Sequence, residues 1–354
     1  MRKGIIAVFL CAVIVVALSA YILIQPTRSQ SLPKIGVFYY VWYNGPDDLT
    51  SWANHTKIVD KPILGYYNSC DPTIIKQHLV WMQDLGIDFV IISWWGFYDD
   101  YGNFTDNATK QVFETAQNIN STLKFAVIVE PFNKTGNPTY DYSTIDNHIY
   151  NDLVLPYSSI YYNYNGQPLI CFFNDPNNNP GLTPNGKIPC NDPRFSTIIV
   201  GDQNYVQWAH TDLDSWTKST IPNDINETSV TPRFDDSRFR IPYCVVDPNL
   251  TEGVYDQEWT NATLLWNEGK SDTIMISSWN EYVERTEIEP HYDATAINQS
   301  TNFLYDKTKY YINQISSTTS ASEYFNTLGV TTVIITMVTT SYFILKTRKP
   351  KKAV

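Results

Sequence analysis

The chain has 354 residues, 43% hydrophobic and 14% aromatic, with 36 acidic against 25 basic side chains and a formal charge of -11. That length suits one large domain or two ordinary ones. The acidic balance argues against a nucleic-acid surface, which needs clustered Lys and Arg, and otherwise says little because it also serves solubility.

The first element is an apolar run, Gly4 to Ile24, uncharged and preceded by Arg2-Lys3. At about 1.5 Å per residue it can cross a hydrocarbon core of about 30 Å. A signal peptide is the alternative, but the run is longer than usual for one and lacks a clear small-x-small cleavage site, so an anchor within 1–25 is favoured. A second apolar run, Phe325 to Leu345, precedes the basic tail 346–354, KTRKPKKAV. Basic residues at both ends favour the cytoplasmic side, which puts 32–316 outside the cell membrane. A glycolipid-anchor signal would end in its apolar tail, so the basic tail argues against one. Sequons at Asn54, Asn103, Asn107, Asn120, Asn133, Asn226, Asn249, Asn261 and Asn298 agree with export and imply N-linked glycans on some of them. Of the exported cysteines, Cys171 and Cys190 are the preferred disulfide pair.

Between short polar linkers the pattern alternates. Ile35–Val41 reads as a strand, and Thr73–Leu85 as a helix stopped by Gly86. Asp88–Ser93 is a strand, Asn107–Asn118 a helix, Lys124–Val129 a strand and Ser143–Leu155 a helix. Pro168–Phe173 and Ser196–Val200 follow as strands, with weaker strand candidates at Tyr205–Ala209 and Thr228–Pro232. Asp256–Asn267 is helical, Thr273–Ser278 is the last strand, and Asn302–Ile315 is the closing helix. Unbroken apolar strands alternating with helices predict a parallel sheet covered on both faces. About eight strands over this length predict an α/β chain folded as a (β/α)8 TIM barrel, flanked by the two terminal transmembrane helices. A doubly wound open sheet is the alternative, weakened because no Gly-rich phosphate loop follows the first strand.

In such a barrel, chemistry gathers at the C-terminal ends of the strands. Those positions hold Tyr39, Tyr40, Trp42 and Tyr43 after the first strand and Trp94-Trp95 after the second. Glu130 follows the third, Asp235-Asp236 lie in a late loop, and Trp279, Asn280, Glu281 and Glu284 follow the last. Sugars present both C–H faces and hydroxyls, so aromatic walls with acidic acceptors suit a carbohydrate cleft. Glu281 and Glu284, three apart, share one side of a turn if it is helical, and close carboxylates can divide into one acid and one base. A solvated acidic turn is the plainer reading of that stretch, and Glu287 and Glu289 read as surface or supporting residues. Trp94-Trp95 could equally be core packing, and Asp235-Asp236 only a turn. Of Tyr39 and Tyr40, one should face the barrel interior and the other the helices. His55, His78, His148, His210 and His291 are scattered and no metal-ligand spacing appears, so neither metal nor cofactor is expected.

The segment WNEYVERTEIEP, Trp279 to Pro290, resembles the W-N-E-W-x-E-G-T-x-I-E-P signature of glycoside hydrolase family 99, the endo-α-mannosidases, and of their close relatives. Phe38–Tyr43, Ser93–Gly96 and Val129–Phe132 are similar to that family's earlier strand-end motifs, in the same order. The resemblance, from about Lys34 to Pro290, implies a (β/α)8 barrel and retaining, endo-acting hydrolysis of α-mannosides. It implies Glu281 as base on the sugar's own 2-hydroxyl and Glu284 as acid, then base on water. Tyr40, Trp42, Tyr43, Trp94, Trp95, Glu130, Asp235 and Asn280 are expected to contact sugar. Arg285 stands where the family usually has Gly, and a cation beside Glu284 would favour its ionised form unless the side chain points away. Tyr282, Ile128 and Phe132 replace Trp, His and Tyr. Two other readings are a silent glycan-binding or cell-envelope protein on the same barrel, favoured by Arg285, and a partner of polysaccharide-assembling glycosyltransferases.

Overall fold

The computed structural model describes residues 31–46, 52, 58–130, 142–173, 192–200, 227–241 and 243–317. Both predicted spans, Tyr205–Ala209 and Cys190 lie outside them. Among the described residues no helix is long and apolar enough to cross a membrane. The compact unit that holds the site runs from Pro33 to Ile312.

Its centre is a parallel sheet. Strand β1 (Lys34–Tyr40) pairs on one side with β3 (Phe89–Trp94), and then follow β4 (Lys124–Val129), β6 (Gln167–Phe173) and β7 (Ser196–Val200). On the other side β1 pairs with β11 (Thr273–Ile276), and β11 with β8 (Glu227–Val230). Every one of these pairings is parallel, as the unbroken apolar strands predicted. Two-residue strands β2 (Lys61–Pro62), β5 (Asn163–Tyr164), β9 (Phe234–Asp235), β10 (Val245–Val246) and β12 (His291–Tyr292) make antiparallel attachments.

Helix α1 (Pro72–Leu85) starts where the Asp71 carboxylate accepts the Thr73 N–H, and it ends on Gly86 at φ 87. Helix α2 (Asp100–Asn118) begins seven residues before the predicted start. Asp99 caps it by accepting the Gly102 N–H at 2.7 Å. Gly102 passes so close to the chain leaving β3 that a Cβ would lie 3.0 Å from the Trp95 carbonyl oxygen. The Tyr-Gly-Asn-Phe composition therefore reads as loop while the packing makes it helix. Helix α3 (Tyr142–Ile149) runs into a π-helical turn, Tyr150–Val154, inside the stretch predicted as one helix. Helix α4 (Val254–Asn267) is held by Asp247, whose two carboxylate oxygens accept the Thr251, Glu252, Gly253 and Val254 N–H groups. The last helix begins at Phe303.

The core lies between these helices and the sheet. Gly36, in β1, shows how tightly it is filled. A Cβ there would fall inside the contact distance of Met275 Sδ and 2.5 Å from Phe89 Cζ. Gly36→Ala is expected to cost about 1–3 kcal/mol by overpacking, read as a lower urea midpoint with an unchanged slope.

Candidate active site

Beyond β11 the chain closes into a tight loop over 277–290, and Val283 is its only member that is not buried. The Ser278 N–H donates to the Thr286 carbonyl at 2.8 Å, and the Glu289 N–H to the Trp279 carbonyl at 2.9 Å. The Ser278 hydroxyl accepts the Glu281 N–H at 2.8 Å. The acidic stretch is thus an interior loop, and the solvated-turn reading is overturned.

Asn280 fixes this loop to β1. Its side-chain carbonyl accepts the Tyr40 N–H at 2.8 Å, and its NH2 donates to the Tyr40 carbonyl at 2.9 Å and the Tyr67 hydroxyl at 3.0 Å. The Tyr43 hydroxyl donates to the Asn280 carbonyl at 2.6 Å. Asn280 was expected to contact sugar. It is fully buried, and its amide is spent on holding the ends of β1 and β11 together.

Three carboxylates meet above these strands. Glu281 is 2% exposed, Glu130 8% and Glu284 9%. Burial pushes Glu281 well above the usual carboxylate range and Glu284 pushes it further, while Arg240 and the Val283 N–H pull it back. That N–H donates to Glu281 Oε1 at 3.0 Å. Burial pushes Glu130 up to about 8, opposed by the Ser93 hydroxyl, which donates to its Oε1 at 2.8 Å, and reinforced by Glu284. Arg240 Nη1 lies 2.6 Å from Glu284 Oε1.

An aromatic wall adjoins the carboxylates. Tyr40, Trp42 and Trp95 are each partly exposed. Tyr40 and Trp42 have ring centroids 4.6 Å apart, and Trp42 and Trp95 6.0 Å apart. The Trp95 indole N–H donates to the Ser93 hydroxyl at 3.1 Å, the same hydroxyl that donates to Glu130. One serine therefore ties the wall to a carboxylate.

Other expected contacts are structural. Trp94 is fully buried, donates its indole N–H to Asp106 Oδ1 at 3.0 Å and stacks near His148. Tyr43 is fully buried and stacks on Trp52 at 4.0 Å. The Asp235 carboxylate accepts from the Ser237 hydroxyl and from Arg285, and its N–H donates to the Glu284 carbonyl at 2.8 Å. Tyr39 turns outward to α1, where its hydroxyl meets His78 Nδ1 at 2.9 Å. His78 Nε2 lies 3.1 Å from Glu289, which also accepts the Tyr67 and Tyr282 hydroxyls. Glu287 and Glu289 are not on the surface; both are fully buried.

Arg285 does not pair with Glu284. Its Nε donates to Asp60 Oδ2 at 2.7 Å and its Nη2 to the Thr295 hydroxyl at 2.9 Å. Its φ is 58, in the left-handed region that glycine occupies most readily, which explains why glycine suits this position. Beside it Arg233, also buried, donates to Asp60, Glu287, Asp293 and the Arg285 carbonyl. Burial pushes Glu287 up to about 7, and Arg233 and His291 pull it back. Sequence reasoning missed Arg240, Arg233 and Asp60, because a lone Arg or Asp in a loop carries no pattern. Ser93, in β3, stood out only as the first residue of the Ser93–Gly96 motif, and its bond to Glu130 was not foreseen.

Fold and site together define a TIM-barrel-like α/β protein with buried carboxylates and an aromatic wall at the C-terminal ends of its strands. The family model for glycosyl hydrolase family 99 matches residues 58–181. A Xenopus laevis glycoprotein endo-alpha-1,2-mannosidase is 26% identical over 170 residues, 39% of this chain and 36% of that protein. A Mus musculus glycoprotein endo-alpha-1,2-mannosidase-like protein is 31% identical over 98 residues, 27% of this chain and 20% of that protein. The matched segment thus spans between a fifth and little more than a third of these relatives. The solved GH99 endo-alpha-mannosidase from Bacteroides thetaiotaomicron has a TM-score of 0.58 and 19% identity, over 80% of this chain and 97% of that one. Its complex with bis-tris-propane gives 0.57 and 21%, over 81% and 98%. The chain is similar to glycoside hydrolase family 99 in sequence and in fold.

Proposed function

We propose that the barrel is a retaining, endo-acting glycoside hydrolase for α-mannoside-type glycans. The observation that carries this reading is the meeting of Glu130, Glu281 and Glu284, all buried, beside the wall of Tyr40, Trp42 and Trp95. In the reaction Glu281 takes the proton from the sugar 2-hydroxyl. The freed oxygen attacks C1 of the same ring, and Glu284 protonates the departing glycosidic oxygen. The product is a 1,2-anhydro sugar and a shortened glycan. Glu284 then removes a proton from water, which attacks C1 and opens the three-membered ring, while Glu281 returns its proton to O2. Two inversions at C1 give net retention without a carboxylate–sugar bond, unlike most retaining enzymes. Glu130, with its raised proton affinity, donates a hydrogen bond to a sugar hydroxyl, and the aromatics pack against C–H faces.

The same proposal places the barrel outside the cell membrane, anchored by the runs at 4–24 and 325–345, with N-linked glycans on exposed sequons. The silent-barrel alternative drew on Arg285, whose side chain faces Asp60 instead of Glu284.

The test is to incubate the full-length protein with α-mannans and surface-type N-glycans and read products by mass and anomeric configuration. Internal cleavage with retained configuration is expected. Release of single terminal sugars, or an inverted product, overturns the reading.

A further inference from the structure

Ser93 lies near the end of β3 and pairs in register with Ile128 of β4. Side chains two apart on a strand share a face, so Ser93, Trp95 and Glu130 point to the same side of the sheet. Trp94 points to the other side, toward Asp106. The contacts agree. The Trp95 indole N–H donates to the Ser93 hydroxyl oxygen at 3.1 Å, and that hydroxyl donates to Glu130 Oε1 at 2.8 Å.

The direction of this chain follows from its members. An indole N–H can only donate, and a hydroxyl has one hydrogen to give. Ser93 is 1% exposed, and among the described residues Glu130 Oε1 is the acceptor that its hydroxyl hydrogen reaches. Turning that hydrogen away would leave a buried donor unpaired. Oε1 is therefore an acceptor whether or not Glu130 is protonated. Burial pushes that carboxyl up to about 8, opposed by the Ser93 hydroxyl and reinforced by Glu284. Glu284 and Glu281, both from the 277–290 loop, are the titratable groups that face it among the described residues. At neutral pH Glu130 thus carries a proton. The oxygen left to hold it is Oε2, which has no hydrogen-bond partner among the described residues. Trp95 has spent its one polar hydrogen on Ser93 and offers a ligand only its ring.

We propose that Ser93 is a positioning residue: held by Trp95, it reserves Glu130 Oε1 as an acceptor and so makes Oε2 a hydrogen-bond donor aimed at a sugar oxygen. The subsite beside Trp95 then takes a sugar that presents a C–H face to the ring and an accepting oxygen to Glu130. This inference rests on the reading of Glu130 as a sugar-binding group.

The test compares the full-length wild type, Ser93→Ala and Ser93→Thr. Infrared titration of the Glu130 carboxyl, assigned with Glu130→Gln, is read first and needs no turnover. Loss of the hydroxyl removes a bond that favours the carboxylate. The midpoint should therefore rise by about half a unit to one unit in Ser93→Ala. The carbonyl band of the neutral form should move to higher frequency, because it has lost its donor. Ser93→Thr keeps the hydroxyl and should keep both near wild type. On the cleaved glycan, KM in Ser93→Ala should rise by about 2- to 10-fold, and by more than kcat falls. An unmoved band and midpoint in Ser93→Ala overturn the proposal whatever happens to activity. The same shift in Ser93→Thr would make the effect one of packing and overturns it too. A loss of kcat with KM unmoved also overturns it. A band that moves in Ser93→Ala alone, in a protein that cleaves nothing, supports the role of Ser93 and sinks the hydrolase reading alone.

Discussion

Glu281→Gln and Glu284→Gln are each expected to lower kcat/KM on the cleaved glycan by about 10²- to 10⁴-fold, the range of one positioned acid or base. The amide keeps the shape of the carboxyl group. At position 281 it mimics the neutral form that burial already favours, so the Val283 N–H bond survives. At position 284 the amide loses the charge that meets Arg240, but Asp236 still holds that guanidinium. KM and thermal midpoint should therefore change little while kcat falls. The two residues act on one step, so the double variant should lose about as much as the worse single one. A substrate whose leaving group needs no protonation separates the roles. It should restore the first step in Glu284→Gln and leave Glu281→Gln inactive, because the 2-hydroxyl still needs its base. Activity within tenfold of wild type in either single variant would remove that residue from the chemistry.

Arg233→Met should cost about 3–5 kcal/mol of stability, as expected when one partner is removed from a buried ion network. Met roughly matches the aliphatic part of Arg, so the loss is one of charge more than of volume. Asp60, Glu287 and Asp293 would be left with Arg285 and His291 as their cationic partners, with Asp60 and Glu287 fully buried. The pH dependence gives the mechanism away. In the wild type, burial opposes the charge on Asp60, but Arg233 and Arg285 together hold it below the usual carboxylate range. That stability is present above the unfolded value of about 4 and is lost as pH falls through the lower folded value. Glu287 behaves in the opposite sense. It is raised to about 7, so it costs stability progressively as pH rises from about 4.5 to about 7. Without Arg233 all three carboxyls bind protons more tightly, so the penalty in Arg233→Met should shrink as the pH is lowered toward 4. Urea midpoints of both proteins between pH 4 and 8 measure this. A penalty independent of pH would mean that packing, not charge, is what Arg233 supplies.

Much of the barrel was legible because its strands announce themselves locally. Lys124–Val129 and Ser196–Val200 match the predicted strands residue for residue, since a strand covered on both faces is apolar throughout. The start of α2 was not legible, because its first turn is helical only through the Asp99 cap and the close approach of Gly102 to the β3 exit. The carboxylates were legible as a group, because residues after parallel strands converge whatever their neighbours. Which aromatics face the opening was not. Trp94 and Trp95 are adjacent and alternate sides, one buried against Asp106 and the other tied to Ser93.

The sequence by itself determined the order of strands and helices and the strand ends where chemistry gathers, which depend on periodicity. The pair Glu281 and Glu284 was singled out by the resemblance of Trp279–Pro290 to a family 99 motif, since their spacing alone is common on solvated helices. The tertiary structure alone decided what surrounds that pair. Asn280 turned out to fasten two strands, Arg285 to serve Asp60, and Arg240 to reach Glu284 from a hairpin more than forty residues earlier in the chain. Such charges find each other across long separations because burial makes an unpaired one costly. No local pattern records which partner the fold brings.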